Sequence, residues 1–267
     1  MSHLIIDTDR CIGCGNCGRV CIRSNISIED GKAKETPSGP MECFDCGHCM
    51  SVCPKDAIRL VKYEDQRGRI EEYDGPAGID YDTMMGFLKR RRSVRWFTKE
   101  KVTDEEFSKL FDASYYSPSS QNSQDVEFAV IDGRLEEFQR LIAEILEPLK
   151  EDYPRIAQFI DYTRYPSAFR YNPFLWEGKQ IIIAFSEEPA DAYIAMSRVE
   201  MSAYTLGLGG FYSLWMSMAD RQDHDRLMSF FPDIPVRKHM NSLFVIGHPK
   251  VRFRRTIPHT EVKIYHY

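Results

Sequence analysis

The sequence predicts an α+β protein in two parts, a small cysteine-rich module followed by a larger domain of mixed helices and strands. Three observations carry that reading. All eight cysteines fall between residues 11 and 53. A charged stretch with several glycines, residues 63–81, then interrupts the pattern. Beyond it, helical periodicities alternate with short apolar runs of strand character. The expected parts are therefore residues 1–62, a connection at 63–81, and a domain at 82–267.

With 267 residues, the chain has room for a small module and one domain with a sizeable core. Its 43% hydrophobic and 28% charged residues are those of an ordinary soluble protein. A formal net charge of −5 argues against nucleic acid and anionic membrane as partners. No apolar run approaches the roughly 18 residues of a spanning helix. The opening M-S-H-L-I-I-D has neither the basic segment nor the apolar core of a signal peptide. A cytoplasmic location is expected.

The cysteines form two runs, C-I-G-C-G-N-C-G-R-V-C from Cys11 and C-F-D-C-G-H-C-M-S-V-C-P from Cys43. Both have the spacing C-x2-C-x2-C-x3-C. Two-residue gaps let three successive thiolates wrap one iron–sulfur cubane from a tight loop, with the fourth ligand coming from elsewhere. Zinc and disulfides are the alternatives. A triple C-x2-C-x2-C overloads a tetrahedral zinc site, and disulfides need an oxidising compartment that nothing here suggests. Residues 1–62 thus resemble a bacterial two-[4Fe–4S] ferredoxin domain. The resemblance implies crossed ligation, with Cys11, Cys14, Cys17 and Cys53 on one cluster and Cys43, Cys46, Cys49 and Cys21 on the other. Ile22 stands where a proline often follows the fourth cysteine, which affects only the stiffness of the chain exit.

Within this module His3–Ile6 reads as a strand, Ile26–Ile28 as a second that turns at Glu29-Asp30-Gly31, and Ala57–Val61 as the last. Thr36–Pro40 reads as a loop. Each half repeats a cysteine run followed by a short strand, as a pseudo-twofold ferredoxin requires.

In the larger part, Asp82 or Thr83 is placed to cap a helix from Met84 to about Arg92. That helix runs into K-R-R-R-S-V-R-W-F, residues 89–97. A charge run is often only a solvated face, but arginine forks beside a serine suit a phosphate. Thr103 to Glu106 cap a second helix that buries Phe107, Leu110 and Phe111. It leads into S-P-S-S-Q-N-S-Q, residues 117–124, too polar for core. Val126–Ile131 reads as a buried strand, Leu135–Leu149 as an amphipathic helix, and Ile156–Ile160 as helical. The aromatic, proline-interrupted stretch 162–176 reads as the lid of a flat pocket, with a core-packing loop as the alternative. Gln180–Phe185 is a strand buried on both faces. Residues 191–206 are helical and stop at G-L-G-G, and Asn241–Ile246 is a further strand before Gly247-His248-Pro249 and a basic tail.

Three of these pieces, in this order, resemble the FMN-dependent nitroreductase family over residues 82–257: R-R-S-V-R at 91–95, P-S-S-Q-N-S-Q at 118–124, and the G-L-G-G helix end before G-H-P and the basic tail. The resemblance implies that Arg91, Arg92, Ser93 and Arg95 hold the FMN phosphate, ribityl chain and flavin edge. Arg254 and Arg255, one or both, would close the phosphate site. Pro118, Ser119, Ser120 and Asn122 would reach the ring from the other subunit of a homodimer. Gly209 and Gly210 would offer amides near N5, where only glycine permits close approach. The family commonly continues P-W after the glutamine; here Asp125-Val126 follows, so the pocket floor differs. No strand–GxGxxG–helix unit is present.

The expected function is an iron–sulfur flavoprotein oxidoreductase, in which two [4Fe–4S] clusters pass electrons to FMN and on to a small flat acceptor, nitroaromatic or quinone-like. Reduced ferredoxin or another low-potential donor would supply the electrons. Clusters carry one electron and flavin holds two, so FMN is where they pair. The rival is an electron-transfer or redox-sensing protein without small-molecule turnover. Reductive dehalogenation or flavin fragmentation is a third course within the family resemblance. No side-chain set makes a catalytic claim of its own.

Overall fold

A computed structural model describes residues 3–36, 42–73, 75 and 78–267. The loop expected at Thr36–Pro40 lies, beyond Thr36, outside the described residues. The chain divides into two compact units, one of residues 1–77 with 121–123, the other of residues 78–120 and 124–267.

The first unit is two hairpin-like pairs and two short helices. In chain order it contains β1 (Leu4–Ile6), α1 (Asn16–Val20), β2 (Ile26–Glu29), β3 (Lys32–Glu35), α2 (His48–Ser51) and β4 (Ile58–Leu60). Strand β1 pairs antiparallel with β4, Leu4 opposite Leu60, and β2 with β3, Ile28 opposite Ala33. Asp30 and Gly31 make the turn between β2 and β3 with φ of 48° and 75°, the left-handed pair that a tight hairpin needs. The expected hairpin is thus present. A 3-10 segment, Val61–Arg69, follows β4. Leu4, Ile26, Ala33, Ile58 and Leu60 bury their side chains together with Cys17 and Cys49.

The second unit is a four-stranded antiparallel sheet with helices on both faces. It begins with α3 (Tyr81–Arg90) and α4 (Asp104–Tyr115), then β5 (Glu127–Ile131), α5 (Leu135–Leu146), α6 (Pro154–Arg164), β6 (Gln180–Ser186) and α7 (Pro189–Thr205). It closes with β7 (Gly209–Ser213), α8 (Trp215–Gln222), α9 (His224–Met228) and β8 (His239–Gly247). The strand order is β5-β6-β8-β7, so the two longest strands are central. Side chains alternate across a strand, and β6 shows it: Ile181, Ile183 and Phe185 face α5, α6, α8 and α9. Ile182 and Ala184 face the other way, onto α4 and α7. Both faces are covered, which is why the run Gln180–Ser186 carries no polar alternation.

Several expectations need correction in detail. The cap of α3 is Asp80, whose carboxylate accepts from the Thr83 amide at 2.9 Å, so the helix starts earlier than Asp82 or Thr83 would allow. β5 is an edge strand with Val130 exposed, not a buried one. The G-L-G-G sequence is divided: Gly207, at φ 75°, ends α7, and Gly209-Gly210 already belong to β7. In the aromatic stretch, Phe174 and Leu175 are core and Phe174 stacks on Trp215 at 5.6 Å, whereas Tyr165 and Tyr171 are exposed.

Candidate functional site

The first unit arranges its eight cysteines around two cavities. One is lined by Cys11, Cys14, Cys17 and Cys53, the other by Cys21, Cys43, Cys46 and Cys49. These are the two crossed sets expected from the sequence. Gly15 and Gly47, at φ 78° and 74°, start the short helices α1 and α2 in left-handed geometry. Each helix thereby turns its cysteine, Cys17 or Cys49, inward. Gly13 is confined further, since a Cβ there would stand 2.2 Å from the Gly31 carbonyl oxygen.

All eight cysteines are free of disulfides. Backbone amides aim at the sulfurs in matching fashion. At the first cavity Ala33 and Ala57 donate to Cys11 and Cys53, both at 3.3 Å. At the second, Asn25 donates to Cys21 at 3.3 Å and Asp45 to Cys43 at 3.4 Å. Such donors favour thiolate, and the amides of Ala33 and Gly13 hold Cys11 below the ordinary thiol range. Burial acts the other way, raising Cys17 and Cys43 and pushing Cys49 up to about 12, with the neighbouring Cys46 adding to it. Four cysteine sulfurs gathered around one cavity suit a cationic centre that replaces their protons. The donor set therefore fits iron–sulfur ligation.

The second unit carries a basic groove. Lys89 and Arg90 from the end of α3 face Arg252, Arg254 and Arg255 of the tail across a space of ≈ 790 Å³ floored by Val94, Leu208 and Pro249. The carbonyls at a helix C-terminus repel an anion, and the five cations gathered here act against that dipole. Arg254 and Arg255, named from the sequence for a phosphate site, both line this groove. Lys89, Arg90 and Arg252 were not named for the site, although the first two stand in the charge run.

Arg91, Arg92 and Arg95 do not line that groove themselves. Arg91 leaves the helix in extended conformation, φ −60° and ψ 127°, and its Nη1 donates to the buried Glu200 Oε1 at 3.2 Å. Burial beside Glu200 drives the Tyr212 phenol far upward, so that hydroxyl stays protonated. Arg92 stacks on Phe253, which lines the groove, at 5.5 Å. Its amide donates to the Tyr204 hydroxyl, which returns a bond to the Arg92 carbonyl at 2.8 Å. Ser93 is half-buried between them in sequence and the fixed Val94. Arg95 lies over the Phe211 ring at 5.0 Å.

The polar loop is pinned by a residue that sequence reasoning missed. Asp191, buried in the first turn of α7, accepts from the Ser120 amide at 2.8 and 3.0 Å. Ser119 Oγ accepts from the Gln124 amide at 3.0 Å, and Pro118 is exposed. Asn122 belongs to the first unit, where its Nδ2 donates to the carbonyls of Phe44 and Asp45 at 3.2 and 3.0 Å. Gly209 and Gly210 are buried in β7. A Cβ on Gly210 would stand 2.0 Å from the Val245 carbonyl oxygen, so its glycine is required by strand packing.

Among the described residues no helix is long and apolar enough to cross a membrane. The profile of the nitroreductase family matches residues 88–248, and that of the 4Fe-4S dicluster domain matches residues 10–72. A protein of Archaeoglobus fulgidus, provisionally named an NADH dehydrogenase/NAD(P)H nitroreductase, is 23% identical over 166 residues, covering 60% of this chain and 82% of that protein. Among solved structures, a nitroreductase of Bacteroides fragilis with bound FMN superposes with a TM-score of 0.53 at 14% identity, covering 68% of this chain and 98% of its own. A nitroreductase of Desulfitobacterium hafniense with bound FMN gives 0.52 at 16% identity, covering 67% and 97%.

Proposed function

Because the chain belongs to the nitroreductase family, we propose that it is an iron–sulfur flavin oxidoreductase, moving electrons from two [4Fe–4S] clusters through FMN to a small flat acceptor of nitroaromatic or quinone type. The observation that carries this reading is the pair of four-cysteine cavities in one chain with a family domain and its basic groove. FMN, when bound, supplies the pairing of singly delivered electrons.

The roles of the chain's own residues follow from their chemistry. Cys11, Cys14, Cys17 and Cys53 ligate one cluster, and Cys21, Cys43, Cys46 and Cys49 the other. Arg90, Arg254 and Arg255, with Lys89 and Arg252 beside them, hold the dianionic phosphate by charge-assisted forks. Arg91 positions the segment that follows it through its pair with Glu200, and the Arg92–Tyr204 exchange fixes the backbone there. A homodimer completes the site, in keeping with the Pro118–Ser120 loop, which Asp191 holds at the surface. A low-potential protein donor such as reduced ferredoxin feeds the clusters.

Full-length protein purified without oxygen tests the reading. It should hold about eight iron per chain and FMN released on denaturation. Reduced ferredoxin should drive quinone reduction. Cys46→Ser should lose one cluster and most of that rate, while dithionite, small enough to reach the flavin, still supports turnover. Unchanged ferredoxin-driven rates in Cys46→Ser and Cys14→Ser would reject the relay. Arg90→Ala with Arg254→Ala should weaken FMN by about 1.5–3 kcal/mol for each lost charged bond.

A further inference from the structure

The buried carboxylate of Asp220 lies outside every residue set named so far. It sits in α8 at 6% exposure and receives two imidazoles, one from each side. His224, the first residue of α9, places Nδ1 at 2.9 Å from Asp220 Oδ1. His239, the first residue of β8, places Nδ1 at 2.8 Å from Asp220 Oδ2. The Met240 amide donates to Oδ1 at 3.2 Å. Three elements separated in sequence thus bring two nitrogens and a carboxylate to one point, with their ligating atoms all within 4.8 Å.

His224 Nε2 lies 2.5 Å from the Val236 carbonyl oxygen. A carbonyl only accepts, so Nε2 carries the hydrogen. In a neutral ring Nδ1 is then a lone pair, and it faces a carboxylate oxygen that is also a lone pair. Two acceptors at 2.9 Å repel unless a cation stands between them. That cation is either a second proton on His224 or a metal ion.

The arrangement favours the metal. An imidazole whose far N–H is held by a backbone carbonyl, leaving the other nitrogen aimed at a carboxylate, is the orientation that outer-shell bonds impose on metal ligands. His239 brings an equivalent Nδ1 to the opposite carboxylate oxygen, so two imidazole nitrogens flank the one carboxylate. Two imidazoles and one carboxylate suit zinc and its neighbours in the first transition row. With metal–ligand bonds of about 2.0–2.2 Å, tetrahedral donors stand roughly 3.3 Å apart. The observed 2.8 Å to His239, whose side chain is about half exposed, and 2.9 Å to His224 widen to that by shifts of a few tenths of an ångström in each ring. The same exposure leaves the remaining coordination position open to water.

We propose that Asp220, His224 and His239 bind one divalent transition-metal ion, zinc by preference, tying α8, α9 and β8 together. The site is separate from the cysteine cavities, because its donors are nitrogen and oxygen and all three residues lie in the second unit.

The test uses full-length, iron-replete protein, given zinc chloride alone and desalted before zinc and iron are counted together. Wild type should retain one zinc per chain, with a zinc absorption edge and a nearest shell of nitrogen and oxygen. His224→Gln/His239→Gln should lose that zinc with iron unchanged. The single variant His239→Ala, altering the most exposed ligand and so least able to disturb folding, should weaken zinc binding at least tenfold. A sulfur shell would place the zinc at the cysteines and overturn the proposal. So would equal zinc retention in wild type and both variants, or wild type that retains no zinc.

Discussion

In the first unit the buried apolar residues are Leu4, Ile26, Ala33, Ile58 and Leu60, with the thiols of Cys17 and Cys49 among them. In the second, two continuous clusters lie against opposite faces of β6 and β8, built from rings such as Phe138, Phe159, Phe185 and Phe244. The difference is one of what supplies the cohesion. A module of this size buries too little apolar surface to offset its chain entropy, and small domains of that kind lean on metals or disulfides. The second unit has a core sufficient without them. Removing iron and removing methylenes should therefore act on different halves of the molecule.

The largest effect expected is iron removal. Stripping the clusters by chelation under oxidant should abolish amide-exchange protection in β1 and β4 while leaving β6 protected, because ligation free energy is folding free energy in such modules. Hydrogen exchange read peptide by peptide decides it. Protection of β1 persisting without iron would mean that the first unit's own apolar residues hold it together.

The converse experiment is Phe185→Ala. This ring is fully buried and meets Phe231 edge-on at 5.0 Å. Its loss should cost about 3–5 kcal/mol in the second unit, seen as a lower denaturant midpoint for β6 protection, with iron content unchanged. Gly210→Ala sharpens the same point on a smaller scale. Its added methyl has only the Val245 carbonyl and the Phe244 ring to displace, at 2.0 and 2.6 Å. Overpacking of this kind should cost about 1–3 kcal/mol, again without loss of iron.

The two units also differ in how far their sequences could be read. The cysteine sets were legible because ligation to one cubane is specified by gaps of two and three residues, and the structure gathers those sets into the two cavities. The long apolar strands β6 and β8 were legible for a related reason, since burial on both faces leaves an unbroken apolar run. Elsewhere the determinants were not local. Strand β7 was hidden because Gly209-Gly210 has the composition of a helix stop, and only pairing with β8 makes it a strand. The short polar helices α8 and α9 carry too few apolar positions to show a period. Among the adjacent cations Lys89 to Arg92, side-chain direction turns by about 100° per residue while the helix lasts. Which of them faces the groove therefore depends on where α3 ends, and the chain leaves the helix at Arg91, inside the charge run, where no residue type marks the stop. Asp191 gave no sign at all, since its partner is a backbone amide 71 residues away.

The smallest effect expected concerns surface charge in the second unit. Glu147 accepts from Lys150 at 2.9 Å and from Arg164 at 2.7 Å, joining the end of α5 to the end of α6. The bonds from Lys150 and Arg164 hold its carboxyl below the ordinary range. A depressed carboxylate contributes stability above its unfolded pKa, near 4.3, and that contribution fades as pH falls through the lower folded value. Glu147 is about a third exposed, so screening keeps the contribution to a few tenths of a kcal/mol. Glu147→Gln should therefore shift the β6 midpoint barely at pH 7. The remaining difference from wild type should vanish at about 1 M salt, where the screening length is roughly 3 Å. A loss above about 1 kcal/mol that salt leaves untouched would mean that the second unit, too, depends on charge pairing, and the contrast between the units would then be one of degree.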